Sequence, residues 1–305
     1  VSCKNPPVRR APLLLILAAV SAVAHVVGVL VAAPLWRGAE VLSLALLLAY
    51  AVAAGLPAPR WAVPVGFVPL IVDAVRTMPA EPGAGDFGWV VYGGGDSAFD
   101  RTAGFDAALD GSWATLAAVA VLLVAFRGRG RRRHLIAAAV AAAPVVGYAA
   151  VRVTDIGTAV AASTRVVEVR TGTTLTRVGG PGHDQADVVP ALVLAVLPPL
   201  ALALAALALA VLLAGRGRRL AATGAALLAV LALPLLDAGI GAVPLPYPVD
   251  STALFAWYAV TPTRMLPQPV PALTAVVELA AYLLLVAGLT GADRAAPAVP
   301  ASVAE

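Results

Sequence analysis

Residues 121–147 read VLLVAFRGRGRRRHLIAAAVAAAPVVG, five Arg set between two apolar runs, and the reading of this stretch decides the fold. A guanidinium is costly at the centre of a bilayer and favourable beside its headgroups, so an apolar run that stops at Phe126 and resumes at Leu135 is two membrane spans joined by a charged turn. The pattern recurs at 210–235, AVLLAGRGRRLAATGAALLAVLALPL, with the same G-R-G-R-R core. Both hairpins run in the same sense, as a parallel repeat requires, although Ala/Leu/Val helices joined by Arg turns also resemble one another through composition alone.

Working outward, the rest of the chain obeys the same logic. Of 305 residues, 61% are hydrophobic and 12% charged, and the mean hydropathy is +0.91, which excludes an ordinary soluble domain. Apolar runs fall at 11–33, 39–56, 112–126, 135–151, 188–214, 220–240 and 272–290, with a weaker one at 61–75 that contains Pro64 and Pro69. Backbone groups in hydrocarbon must be satisfied within their own segment, and the alternation of a β-barrel is absent, so these runs are expected to be helices. The expected fold is therefore an all-α, polytopic transmembrane helical bundle of about eight spans. It would form a single integral membrane domain over 1–305.

Charge sets the expected orientation. With eight spans and both termini cytoplasmic, thirteen of the 21 Lys and Arg fall on the cytoplasmic side, against two of the 17 Asp and Glu. That is the positive-inside bias. The Arg turns at 127–134 and 215–219 then face anionic lipid headgroups and leave no room for a nucleic-acid groove, so the net charge of +4 is read as topology and not as nucleic-acid binding. The expected location is a cell membrane. Lys4, Arg9 and Arg10 precede a run that contains Ala22-Val23-Ala24, a candidate cleavage triplet, but the apolar stretch continues to Ala33 and reads as a retained span.

Three stretches are expected outside, at 76–111, 152–187 and 241–271. The first is acidic, with Phe87–Tyr92 as a candidate strand; its carboxylates lack the spacing of a calcium loop. In the second, β-favouring residues flank Thr171-Gly172 and read as a short β-hairpin. His183, Asp184 and Asp187 follow it and read as ordinary loop residues. The third is proline-rich, and its segment 251–260 reads as interfacial or re-entrant.

Function rests on what the hydrocarbon must hold. His25, Asp73, Asp237 and Glu278 are the ionisable residues placed inside spans, all at mid-membrane or in the outer half, and together they are the candidate intramembrane polar site. If their helices adjoin, three carboxylates and an imidazole could carry a proton or cation, or hold a substrate amine. Pro234, three residues before Asp237, would free a carbonyl beside it. The sequence holds no G-x-S-x-G or H-E-x-x-H signature, no metal-ligand or cofactor motif and no Walker loop, and its one Lys is Lys4, so any ATP would be bound by another subunit. The leading expectation is a small permease or the membrane subunit of a transporter. The alternative is a non-catalytic assembly, anchoring or sensory subunit, and an enzyme acting on a lipid-linked substrate comes third.

Overall fold

In the computed structural model, residues 11–31, 33, 38–78, 100–126, 132–163, 167–171, 174–178, 185–243 and 269–291 are described. The helices are α1 (Ala11–Leu30), α2 (Ala39–Ala54), α3 (Ala62–Arg76), α4 (Ala103–Asp110), α5 (Trp113–Ala125), α6 (Arg132–Ser163), α7 (Gln185–Ala214), α8 (Arg219–Gly241) and α9 (Pro269–Gly291).

The expectation of about eight spans is corrected. Five helices among the described residues are long and apolar enough to cross a membrane, or six if the pair α4 and α5, bent by 60° at its break, is one span. Against the count of six, the two missing crossings are α2 and α3, with 16 and 15 residues. Such helices reach only about 24 and 22 Å, against a hydrocarbon core of about 30 Å. Local chemistry stops both. Gly55 ends α2 with φ of +99°, a left-handed setting that glycine adopts without strain, and Pro57 and Pro59 follow directly. At its other end α3 stops at Arg76 and Thr77, whose hydroxyl donates back to the Asp73 carbonyl at 2.8 Å.

The helices set the fold class, an all-α bundle of five to six apolar spans rather than about eight with a hairpin. Val167–Thr171 and Thr174–Val178 pair antiparallel, Val167 opposite Val178, and are no part of the apolar spans. One boundary also moves: α6 continues to Ser163, well into the stretch 152–187 expected as a loop. The candidate strand Phe87–Tyr92, the His183–Asp184 pair and the segment 251–260 lie outside the described residues.

Packing is organised around α7, α8 and α9, with α8 against both of the others. Close approach is possible because glycine stands where helices cross. A Cβ on Gly224 would sit 2.6 Å from both the Ala281 carbonyl oxygen and the Leu285 nitrogen, and one on Gly288 would overlap the Ala221 backbone. The crossing of α8 and α9 is thus a backbone-to-backbone contact, the kind that small residues allow in membranes. On the other side, α1 packs on α2 and α9, α2 on α3, and α3 on α5. The buried Ser43 hydroxyl donates to the Ala18 carbonyl at 3.0 Å and fixes the α1–α2 pair.

Two layers of contacts give the bundle a common height scale. At one end Arg218 donates to the Leu289 carbonyl at 3.0 Å, and the guanidiniums of Arg216 and Arg218 lie 5.6 and 5.8 Å from the Phe126 ring. Near that end the Thr290 hydroxyl bonds to the Tyr50 hydroxyl at 3.2 Å. The second layer is about 16–20 Å further along the helices, by residue count at the usual rise, and it is polar.

Candidate functional site

The polar layer is built from the ends of short helices and the middles of long ones. His25 is buried on α1, and the packing of α2 on α1 brings Glu40 opposite it, with Nε2 3.6 Å from Glu40 Oε2. Glu40 occupies the first turn of α2, where the helix dipole favours a negative group. Asp73, in the last turn of α3, accepts a hydrogen bond from Trp113 Nε1 at 2.8 Å, at the start of α5. Glu278, one turn before Tyr282 on α9, accepts from the Tyr282 hydroxyl at 2.9 Å. The Tyr282 hydroxyl also meets that of Thr115 at 2.8 Å, and since its own proton goes to Glu278, Thr115 is the donor in that contact.

These are one site. The Glu278 carboxylate lies within Coulombic range of both Glu40 and Asp73, and Glu40 within range of Asp73. Cationic neighbours stand at its edge: Arg76 acts on Asp73, but its guanidinium is bonded to Asp110 at 2.6 Å and the pair is largely exposed. The layer is deep. Glu278 is nine residues from the start of α9 and thirteen from its end, about 13 and 20 Å by helix rise.

The structure brings together three of the four residues singled out from sequence, His25, Asp73 and Glu278. It sets Asp237 apart. That carboxylate accepts from Arg152 Nε at 2.9 Å and from the Tyr148 hydroxyl at 2.7 Å, both on α6, and both partners of the ion pair are over a third exposed. Asp237 is near the far end of α8, about 27 Å from Arg219, well above the level of the other three. Pro234 is accommodated inside the helix.

Glu40 escapes a sequence reading because it begins an apolar run and looks like one of the loop acids. The i, i+4 spacing of Glu278 and Tyr282 is legible as a contact on one helix face. Trp113 and Thr115 carry no signal, since their roles come from α5 lying against α3 and α9.

Among the described residues no three His, Cys, Asp or Glu converge closely enough to hold a metal ion. In the stretch 76–111, Asp110 is engaged by Arg76, and Asp100 accepts from the Thr102 backbone at 2.8 Å and its hydroxyl at 2.9 Å. Those bonds, the backbone one first, hold the Asp100 carboxyl below its usual range.

Below the polar layer lies a small apolar slot between α3, α5, α8 and α9, with a cavity volume of about 20 Å³. Leu70, Ala118 and Tyr282 form its upper end and Leu289 its lower one. Chemically, three carboxylates held together in a bundle repel one another, and a proton or a cation among them relieves that cost. The chain matches no protein-family model, no curated protein and no solved structure.

Proposed function

We propose that this multi-pass membrane protein is a small permease, or the membrane subunit of a transporter, that handles protons or an organic cation at the layer of His25, Glu40, Asp73 and Glu278. One observation carries the reading: from four separate helices of an apolar bundle, His25 and Glu40 stand 3.6 Å apart and Glu40, Asp73 and Glu278 lie near enough to act on one another electrostatically. Charged groups are expensive there, and a purely architectural bundle has no use for several of one sign. The Thr115–Tyr282–Glu278 hydrogen-bond chain supports it further, because hydroxyls in series can relay a proton to a carboxylate.

Orientation follows from charge. We assign Arg216 and Arg218, with the Arg turn at 127–134, to the cytoplasmic side, in contact with anionic headgroups. The short helices α2 and α3 then dip into the membrane from outside and return, which leaves both termini cytoplasmic with six crossings.

The test is proton entry into proteoliposomes carrying the full chain, an entrapped pH-sensitive dye and an imposed potential. Entry should exceed that of liposomes carrying a Glu40→Gln, Asp73→Asn, Glu278→Gln triple variant at least tenfold. Equal rates, with both proteins folded and inserted, would remove the proton-transport reading.

A further inference from the structure

The apolar slot interrupts a line of hydroxyls. On α9, Tyr282, Val286 and Thr290 follow one another at one-turn spacing and share a face. Above, the Tyr282 hydroxyl is engaged with Glu278 and Thr115; below, the buried Thr290 hydroxyl meets that of Tyr50 at 3.2 Å, next to the Leu289 carbonyl held by Arg218. On α5, Val119 stands one turn below Thr115 in the same way. Both valines are buried and both line the slot. Tyr282 and Thr290 are about 12 Å apart along α9, and among the residues that line the slot Tyr282 alone carries a polar side chain. A cavity volume of about 20 Å³ has room for about one water molecule, but Phe67, Leu70, Leu122 and Leu285 offer it no hydrogen bond, and a void without polar partners stays dry.

We infer that the slot is the closed barrier of the proton path, a dry constriction with Val119 and Val286 as its key side chains, set between the carboxylate layer and the hydroxyl pair of Thr290 and Tyr50. A narrow apolar constriction blocks protons and ions because it holds no continuous water. Its flanks set this level apart from ordinary core packing: hydroxyl pairs stand directly above and below it on the same face of α9. A hydroxyl at position 286 would divide the gap into two steps of about 6 Å, each short enough for one water to bridge. This rests on the reading of the layer as a proton-handling site and locates where that path is shut.

The test measures proton entry into the same proteoliposomes for the parent, Val286→Thr, Val119→Thr and Val286→Ile. Threonine keeps the shape of valine and adds a hydroxyl, whose proton can go to the carbonyl one turn back, as that of Thr290 goes to Val286 at 2.9 Å. Val286→Thr should raise entry about tenfold or more by wetting the slot, and Val286→Ile should not. Should Val286→Thr fail to fold or insert, Val119→Thr decides in its place. The gain should vanish when the threonine is placed in the Glu40→Gln, Asp73→Asn, Glu278→Gln background. Unchanged entry in the folded threonine variant would overturn the inference, as would an equal rise in Val286→Ile or a gain that survives loss of the three carboxylates. A parent no faster than the triple variant, beside a threonine variant that conducts through the carboxylates, removes the proton-transport reading and leaves the barrier. A parent that exceeds the triple variant while threonine changes nothing removes the barrier alone.

Discussion

Trp113 Nε1 donates to Asp73 Oδ1 at 2.8 Å, and this bond ties the short helix α3 to the longer bundle at the level of the carboxylates. A hydrogen bond to an ionised group in a partly buried place contributes more than a neutral one, about 1.5–3 kcal/mol. Trp113→Phe keeps an aromatic ring in place and removes the donor. It should destabilise the detergent-solubilised protein by that order, seen as a lower thermal midpoint, whereas Asp73→Asn, whose carbonyl oxygen still accepts, should unfold close to the parent. Equal midpoints for Trp113→Phe and the parent would mean that the bond contributes nothing to the hold on α3.

The α8–α9 crossing gives a sharper contrast. A side chain at Gly288 would run into the backbone of Ala221, and one at Gly224 into that of Ala281 and Leu285, neither of which can move aside like a side-chain tip. Gly288→Val should destabilise by about 3 kcal/mol or more, since overpacking against backbone is harder to relax than against a rotamer. A methyl group added at Gly147 on α6 would meet nothing within 4 Å, so Gly147→Ala should be neutral or stabilising by about 0.5–1 kcal/mol. Thermal unfolding of the two variants side by side checks the sign of both.

The long helices and their Arg turns are legible in the sequence because composition alone dictates them: nothing but a helix satisfies an uninterrupted run such as 188–214 in hydrocarbon. The short pair misleads for the same reason. Residues 39–56 and 61–75 are apolar enough to suggest crossings, but their length is decided by Gly55, the prolines around it and Arg76, and these act through backbone geometry that hydropathy does not register. The site is legible where cost is visible, at His25, Asp73 and Glu278 inside apolar runs. It is illegible at Glu40, because a carboxylate at a helix start looks like a loop residue until α1 folds back beside it. Depth alone groups Asp237 with the others, and its partner Arg152 stays invisible while 152–187 reads as a loop.

Because Asp237 is held by Arg152 at the far end of α6 and α8, it should be dispensable for any flux through the polar layer. The pair is over a third exposed on both sides, so screening leaves it worth less than about 1 kcal/mol. Asp237→Asn should therefore leave proton entry within about twofold of the parent and stability within that margin. Glu278→Gln in the same assay should reduce entry at least tenfold. A drop of similar size in both would place Asp237 on the conducting route and require a continuous polar path between the two levels.

The orientation makes the most exposed prediction, since it rests on charge and can be read without transport. Arg216 is exposed in the turn between α7 and α8, and Thr102 lies beside α4 at the opposite end of the bundle. With Cys3 replaced by Ser, a single cysteine at Arg216→Cys should react with a membrane-impermeant maleimide only after the cells are permeabilised. One at Thr102→Cys should react in intact cells. The short helices make this a strict test: if α2 and α3 enter from outside and return, Arg60 lies at the bottom of that excursion, and Arg60→Cys should stay unlabelled from outside. Labelling of Arg216→Cys in intact cells would invert the bundle, put the carboxylate layer nearer the cytoplasmic face, and reverse the direction from which a cation reaches it.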